Sequence, residues 1–194
     1  QYRRDVYQGI LARQVRFRDA DEREFRLVSR RLVHMGNPHL AAIEWQLMAH
    51  NWSGDLEIQS ALDGTVTNQN VERYRQLSSQ HLERQSTDLE GEDAIALTVR
   101  SNQSHIRMAQ ASRLRVFEGD RQVPTRRRRQ EAQGRISQTL VVPCRQHVEL
   151  RIEKVVALYS SRDFAISEPT VAACQAVRRA APFATLLTSH RQHW

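Results

Sequence analysis

The sequence contains little cysteine, no long apolar run and almost no lysine. Two cysteines, Cys144 and Cys174, in 194 residues give neither a disulfide framework nor zinc-site spacing, so we expect two buried thiols in a reducing compartment. No apolar stretch approaches the roughly 20 residues that a membrane-spanning helix requires, and residues 1–5 do not resemble a signal peptide. We therefore expect a cytoplasmic globular protein without a membrane partner. Because the chain opens without Met, we also expect it to be a fragment of a longer protein.

Arginine carries nearly all of the positive charge. The chain has 29 basic and 22 acidic residues, for a formal net charge of +7, and Lys154 is its single lysine. This bias is typical of a GC-rich genome, and the basic residues are scattered as on a solvated surface. The run of arginines at 126–129 could bind a phosphate backbone, but no aromatic side chain on which a base could stack lies near it. We expect no nucleic-acid partner and interpret residues 126–134 as a polar connection.

The clearest structural pattern is the alternation of apolar and polar residues from 54 to 62. One side of the predicted strand carries Leu56, Ile58, Ser60 and Leu62, and the other carries Asp55, Glu57, Gln59 and Ala61. A period of two indicates a strand with one buried face. Upstream, Ile43, Trp45, Leu47 and Ala49 alternate in the same way. We therefore predict a β-hairpin over residues 41–62.

The rest of the chain reads as strands followed by helices. Further strands are predicted at residues 9–18, 24–35, 65–68, 94–101, 105–118, 136–142 and 147–159, with a long polar loop at 69–93. The last strand changes phase at Glu153 and Lys154, which indicates either a bulge or a strand that serves two layers. Ser167 is a candidate cap for an Ala-rich helix over 168–181, and a second helix follows Pro182. This order favours an all-β sandwich followed by two helices.

Candidate chemical groups are few. Asp55, Glu57, Glu149 and Glu153 are predicted to point outward from strands, so we expect no catalytic carboxylate pair. His34, His39 and His50 lack metal-ligand spacing, so we expect neither a metal nor a cofactor. Trp45 is in phase with core residues, whereas Trp52 lies at a turn. Trp52 is therefore our candidate for contact with a ligand or with another domain.

Several segments together resemble the N-terminal domain of glycoside hydrolase family 65. They are Ser29-Arg30-Arg31-Leu32-Val33-His34-Met35-Gly36-Asn37-Pro38-His39-Leu40, then Asn51-Trp52-Ser53-Gly54, Ser60-Ala61-Leu62-Asp63-Gly64 and Val66-Thr67-Asn68, and finally Lys154-Val155-Val156-Ala157-Leu158-Tyr159-Ser160-Ser161-Arg162-Asp163. Their order and spacing carry the resemblance, which extends from about residue 9 to residue 194. Members of this family are inverting phosphorylases and hydrolases of trehalose, maltose and kojibiose.

The resemblance implies a galactose-mutarotase-like β-supersandwich over residues 1–164 and a helical linker over 165–194 that leads to a catalytic (α/α)6 barrel absent from this chain. The family's general acid and phosphate site lie in that barrel, so no catalytic residue is assigned here. The expected partners are the barrel itself, a disaccharide, inorganic phosphate and a second copy in a homodimer. Two alternatives remain open: a stand-alone polyanion-binding module and a carbohydrate-binding β-sandwich without an attached enzyme.

Overall fold

The structure, a computed structural model, describes residues 2–67 and 80–194. Its strands are β1 (Tyr2–Asp5), β2 (Ile10–Arg18), β3 (Glu24–Val33), β4 (Leu40–Ala49), β5 (Gly54–Asp63), β6 (Leu82–Glu90), β7 (Ala94–Ser101), β8 (Arg107–Glu118), β9 (Arg121–Gln122), β10 (Arg126–Ala132), β11 (Arg135–Cys144) and β12 (Glu149–Ser160). A 3-10 turn covers Val6–Gln8, and two helices follow the strands, α1 (Pro169–Arg179) and α2 (Phe183–His193). The predicted all-β fold followed by two helices is confirmed.

The strands form two antiparallel sheets of unequal size. The large sheet has the order β1-β2-β3-β4-β12-β8-β7-β6, with β9 paired to β8, and the small sheet has the order β10-β11-β5. The small sheet packs on one face of the large sheet, and α1 and α2 pack on the other. The described part of the chain is therefore a sandwich with a helical layer, and the large sheet lies in the middle.

The predicted hairpin over residues 41–62 is wrong. Strand β4 pairs with β3 and β12 in the large sheet, whereas β5 pairs with β11 in the small sheet. Both strands alternate as predicted, and the buried positions of β5 include Ile58, Ser60 and Leu62. The connection after Ala49 carries the chain from one layer to the other. Alternation reports which face of a strand is buried, and it does not report which neighbour the strand pairs with.

Two groups of apolar side chains flank the large sheet. On the helix side, the large sheet presents alanine side chains from β4, β7, β8 and β12. They pack against Val177 of α1 and against Phe183, Leu186 and Leu187 of α2. Between the sheets, a second cluster includes Leu140 and Val142 of the small sheet. Small alanine side chains allow helices to approach the sheet closely, which explains why these strands carry so many of them.

The middle position of the large sheet explains the phase change in β12. Its pairing with β4 and with β8 continues in register through Glu153 and Lys154, so the strand has no bulge there. Instead, Leu150 and Ile152 face the small sheet, while Val155 and Ala157 face the helices. Of the two interpretations offered by the sequence, the strand that serves two layers is the correct one.

Two predicted connections and one predicted strand differ from the structure. Residues 126–134 contain strand β10, which pairs along its length with β11. The polar stretch 69–93 contains β6, an edge strand paired with β7, and its residues 69–79 lie outside the described part. Residues 65–67 are not a strand, and Asn68 lies outside the described part. Polar edge strands look like loops in a sequence because few of their side chains are buried.

The helices begin and end close to the predicted positions. Pro169 occupies the first turn of α1, but Glu168 is at the N-cap and no side-chain hydrogen bond caps the helix, so the prediction that Ser167 caps it is wrong. The backbone carbonyl of Ser167 instead accepts a hydrogen bond from Arg107 Nη2 at 3.0 Å. The spacing of Phe183, Leu186, Leu187, His190 and Trp194 predicts one apolar stripe on α2, and the first four are buried, whereas Trp194 is 54% exposed. Neither helix has the length and apolar character needed to cross a membrane.

Candidate functional site

A pair of buried glutamates lies between the helices and the large sheet. Glu44 of β4 and Glu153 of β12 are directly opposite each other in the antiparallel register, and they are 2% and 4% exposed. The sequence placed Glu153 on a solvated face, which is wrong because the helices cover that face of the sheet. Directly opposed strand residues have neighbouring side chains, so two carboxylates share one buried site.

Arginine side chains neutralise this pair. Arg30 donates to Glu44 through Nε at 2.9 Å and through Nη2, and Gln46 donates to the same carboxylate oxygen at 3.2 Å. Arg151 lies on β12, the same strand as Glu153, and its Nε is 3.4 Å from Glu153 Oε1. A buried carboxylate is stable only when charge and hydrogen bonds compensate for its lost hydration. Glu44 receives both charge and hydrogen bonds from its neighbours, whereas Glu153 Oε1 has the ion pair with Arg151 and no hydrogen bond among the described residues.

The same cluster binds the helix ends. Glu153 Oε2 accepts a hydrogen bond from the backbone N–H of Phe183, the first residue of α2, at 3.3 Å. Arg113 donates from Nη1 to the carbonyl of Arg178 at 2.9 Å and from Nη2 to the carbonyl of Ala180 at 2.7 Å. These backbone groups have no partner within their helices. Negative charge at a helix N-terminus and positive charge at a helix C-terminus are both favourable.

We call Arg30, Glu44, Arg113, Arg151 and Glu153 the helix-docking cluster. Burial lowers the pKa of Arg113, which is only 3% exposed, while the charges of Asp93 and Glu153 oppose that effect. Phe183 is completely buried, and the Arg30 guanidinium lies 5.2 Å from the centre of its ring. An inverting glycosidase needs space for water or phosphate between its carboxylates and the substrate. Here Arg30 binds one oxygen of Glu44 and the Phe183 amide binds one oxygen of Glu153, so the cluster is suited to docking the helices.

Two histidines attach the other end of α2. They are His34 and His190, and each accepts a backbone hydrogen bond at Nδ1. The N–H of Met35 donates to His190 at 3.1 Å, and the N–H of Asn37 donates to His34 at 3.0 Å. Each opposite nitrogen therefore carries the proton. His190 Nε2 lies 3.2 Å from the Gly9 carbonyl, and His34 Nε2 lies 2.7 Å from Ser189 Oγ. With its Nδ1 as an acceptor, the His34 ring is in its neutral form.

The environment of His34 favours this neutral form. Burial lowers the pKa of His34, and the nearby His190 and His193 lower it further. The rings of His34 and His190 are 5.9 Å apart. Within residues 2–67 and 80–194, no group of three or more histidine, cysteine or acidic side chains is arranged to hold a metal ion.

The two tryptophans considered in the sequence lie near different parts of the sandwich. Trp52 packs edge-on against Phe25 with the ring centres 5.1 Å apart, and Arg23 lies over its ring at 5.7 Å. Its Nε1 is buried without a hydrogen-bond partner among the described residues. Trp45 is half-buried and lines a cavity between the sheets. Trp52 thus combines packing contacts with one unused donor.

The arginine run is divided between two faces of β10. Arg127 points inward and donates to Gln138 Oε1 at 2.8 Å and to the Leu114 carbonyl at 2.7 Å. Arg129 donates to the Gly91 carbonyl at 2.6 Å. Arg126 and Arg128 are exposed on the other face. Half of the predicted basic patch is therefore engaged by the protein itself.

Sequence reasoning assigned no role to Arg30, Glu44, Arg113 and Arg151 of the helix-docking cluster, nor to His190 and Lys154. Glu44 is in phase with Leu40 and Ala42, so β4 carries a second buried phase that could have been recognised. His190 falls within the apolar stripe predicted for α2 and was treated only as part of it. No local signal identifies Lys154, because its burial depends on the distant strand β5. The predicted burial of Cys144 and Cys174 is confirmed, and neither forms a disulfide within the described part of the chain.

Comparison with known proteins adds the following findings. A family model described as glycosyl hydrolase family 65, N-terminal domain, matches residues 2–194. An uncharacterized glycosyl hydrolase of Mycobacterium tuberculosis (strain ATCC 25618 / H37Rv) is 31% identical over 190 residues, which are 98% of this chain and 14% of that protein. A kojibiose phosphorylase of Halothermothrix orenii (strain H 168 / OCM 544 / DSM 9562) is 23% identical over 205 residues, covering 98% of this chain and 24% of that protein.

A solved structure has the same fold. It is a putative kojibiose phosphorylase from the human microbiome, and it matches with a TM-score of 0.79 and 16% sequence identity over 97% of this chain and 23% of that chain. The chain thus spans 14% to 24% of the length of these similar proteins.

Proposed function

The chain belongs to the N-terminal domain of glycosyl hydrolase family 65, and from this premise we propose that it is a non-catalytic domain of an enzyme that cleaves α-linked glucose disaccharides with inversion. Its own task is to hold α1 and α2 in a defined position for the catalytic part. Residues 1–164 form the sandwich domain in this proposal, and residues 165–194 form the helical linker to an (α/α)6 barrel.

The helix-docking cluster is the observation that carries the proposal. The cluster uses its charges to bind the carbonyls that end α1 and the amide that begins α2. Its carboxylates are buried and face arginine and backbone groups, an environment typical of a structural ion pair, and this supports the proposal. A catalytic acid, in contrast, requires access to the glycosidic oxygen and to a nucleophile on the opposite face.

The proposed reaction follows from the family and from the kojibiose phosphorylase relative. Phosphate or water attacks the anomeric carbon of an α-glucoside from the face opposite the leaving group. Inversion then releases β-glucose 1-phosphate when phosphate attacks and β-glucose when water attacks. Kojibiose, trehalose and maltose are the substrates proposed, and the parent enzyme is proposed to be a cytoplasmic homodimer.

Product analysis of the full-length protein tests the reaction. We expect it to cleave one of the three disaccharides, kojibiose, trehalose or maltose, when each is offered with and without inorganic phosphate, and NMR of the fresh product identifies the anomer. A requirement for phosphate identifies a phosphorylase, and cleavage without phosphate identifies a hydrolase. An α-anomeric product, or no cleavage of any of the three, contradicts the proposal.

Neutral variants of the buried pair test the non-catalytic role. We expect Glu153→Gln and Glu44→Gln in the full-length protein to lower thermal stability and to retain kcat per folded molecule. A catalytic carboxylate would behave in the opposite way, because removing one costs several orders of magnitude in kcat while the fold remains intact. Asp55→Asn, on the exposed face of β5, is the matched control and should change neither quantity.

A further inference from the structure

Lys154 lies between the two sheets of the sandwich. On β12 it follows Ile152 on the side that faces the small sheet, and its backbone neighbours across the large sheet are Ile43 and Leu114. Its Nζ donates to the carbonyl of Ala61 on β5 at 3.3 Å. Within the described part of the chain, no carboxylate forms an ion pair with this amine. The only lysine of the sequence is thus an inward-facing amine without a counter-charge.

A cavity of about 180 Å³ adjoins the amine. Its lining is mostly apolar, with Ile43, Ile58, Leu114 and Ile152 as the aliphatic side chains. A cavity of this size has room for a small adduct on Lys154, which is itself partly buried. It also favours the uncharged form of an amine, and burial does lower the pKa of Lys154.

Hydrogen-bond donors without acceptors line the same cavity. Trp45 Nε1 and Ser60 Oγ are buried, and neither has a partner among the described residues. Ser60 is 7% exposed, so its hydroxyl has little contact with solvent. An unsatisfied buried donor costs free energy, and the cost is recovered when an acceptor binds. The amine and the two donors therefore belong to one lining, and neither Trp45 Nε1 nor Ser60 Oγ is paired with an acceptor among the described residues.

We propose that Lys154 is a carbamylation site for carbon dioxide. The neutral amine attacks the carbon of CO2, the new N–C bond forms, and one carbonyl electron pair moves onto oxygen. The nitrogen then releases one proton to water, which leaves a carbamate anion on Lys154. The N–H that remains continues to donate to the Ala61 carbonyl, and the two carbamate oxygens accept from Trp45 Nε1–H and Ser60 Oγ–H.

The modification changes the charge between the sheets. An amine that can carry a positive charge becomes an anion whose oxygens satisfy both unused donors. Because the adduct binds to the folded state, CO2 stabilises the protein by mass action, and the Tm rises with dissolved CO2. This inference concerns the side of the large sheet opposite to the helix-docking cluster and does not depend on the proposed reaction.

Chemical trapping in the full-length protein is the direct test. The protein is equilibrated with ¹³C-bicarbonate at mildly alkaline pH, the carbamate is alkylated with a trialkyloxonium salt, and the product is digested with trypsin. Acylated lysine resists trypsin, so we expect one uncut labelled peptide that begins after Arg151 and ends at Arg162. Cleavage at an unlabelled Lys154 overturns the proposal.

Variants show whether the cavity promotes carbamylation or whether Lys154 reacts as any exposed amine would. Lys154→Arg should lose the label, while Ser60→Ala and Trp45→Phe should each lower the labelled fraction by about tenfold, as expected when a hydrogen bond to a charged group is lost. Equal labelling in wild type and in both donor variants overturns the proposal, because the cavity then contributes nothing. The wild-type protein provides a second measurement that requires no variant: the label and the rise in Tm should both disappear after degassing, and a Tm independent of CO2 overturns the proposal.

Discussion

Arg113 and Glu153 bind opposite helix ends from the same face of the large sheet. Arg113 donates to the carbonyls of Arg178 and Ala180 where α1 ends, and Glu153 accepts from the amide of Phe183 where α2 begins. The two helices are therefore positioned by side chains of β8 and β12, and each contact also satisfies a backbone group that the helix itself leaves without a partner.

The first prediction concerns Arg113. Arg113→Met leaves the carbonyls of Arg178 and Ala180 without this donor and removes a buried cation that faces Glu153, so we expect the free energy of unfolding to fall by about 3 kcal/mol. Chemical denaturation measures it. Arg126→Met, at an exposed position of β10, is the control and should lie within about 0.5 kcal/mol of wild type. Equal effects of the two variants would show that Arg113 does not hold α1.

The second prediction concerns the loss of stability at acidic pH that His34 causes. Burial holds the pKa of His34 below its ordinary value of 6.5. The unfolded chain therefore binds a proton at a higher pH than the folded chain does, and His34 contributes its full stability above pH 6.5. We expect stability to fall as the pH drops below 6.5, towards the lower pKa of the folded state.

Thermal melts across this pH range, with a His34→Gln variant, measure the effect. The variant should be less stable than wild type at neutral pH and should show a weaker loss on acidification. His81→Gln, at an exposed position, should keep the wild-type slope. An unchanged slope in His34→Gln would assign the acid sensitivity to other groups.

The third prediction compares two glycines with nearly the same backbone conformation. Gly9 has φ +61°, and a Cβ there would lie 2.5 Å from His190 Nε2 and 2.6 Å from the Trp194 ring. Gly91 has φ +60° with no atom within 4 Å of such a Cβ. Alanine at either position carries the left-handed backbone cost of about 1 kcal/mol.

We therefore expect Gly91→Ala to lower the free energy of unfolding by about 1 kcal/mol and Gly9→Ala by about 3 kcal/mol, since the Cβ at residue 9 also displaces the buried His190 ring and the exposed Trp194 ring. Urea unfolding of both variants gives the difference directly. A Gly9→Ala variant as stable as Gly91→Ala would show that the chain near Gly9 moves away from α2 without cost.

The fourth prediction tests Trp52 as the contact to a ligand or to the barrel. Trp52→Phe retains a ring against Phe25 and removes the buried Nε1–H. If that donor is used in the full-length enzyme, its loss should lower kcat/KM by about fivefold, the effect of one hydrogen bond, without a change in Tm. Phe17→Leu alters the same aromatic cluster without removing a donor and should leave kcat/KM unchanged. An unchanged kcat/KM in Trp52→Phe would leave Trp52 with a packing role only.

The sequence by itself determined the local elements of this protein. Alternation located the strands around Leu27, Ile58 and Leu97, and the spacing of Phe183 and Leu187 located α2, because a period of two or of 3.6 is set by the backbone of each element alone. The resemblance to the family rested on short motifs in fixed order, which also depend on the sequence alone. Polar edge strands such as β6 and β10 were missed, since they bury too few side chains to produce a period.

Only the tertiary structure decided which strands pair and which polar residues are buried. The separation of β4 from β5 depends on β11 and β12, strands that lie many residues later in the chain. Glu153 faces the helices and Lys154 faces the small sheet because the large sheet is covered on both sides, and neither cover lies near β12 in sequence. Whether a charged side chain is buried depends on the layers that pack around it, and the local sequence pattern does not show which layers those are.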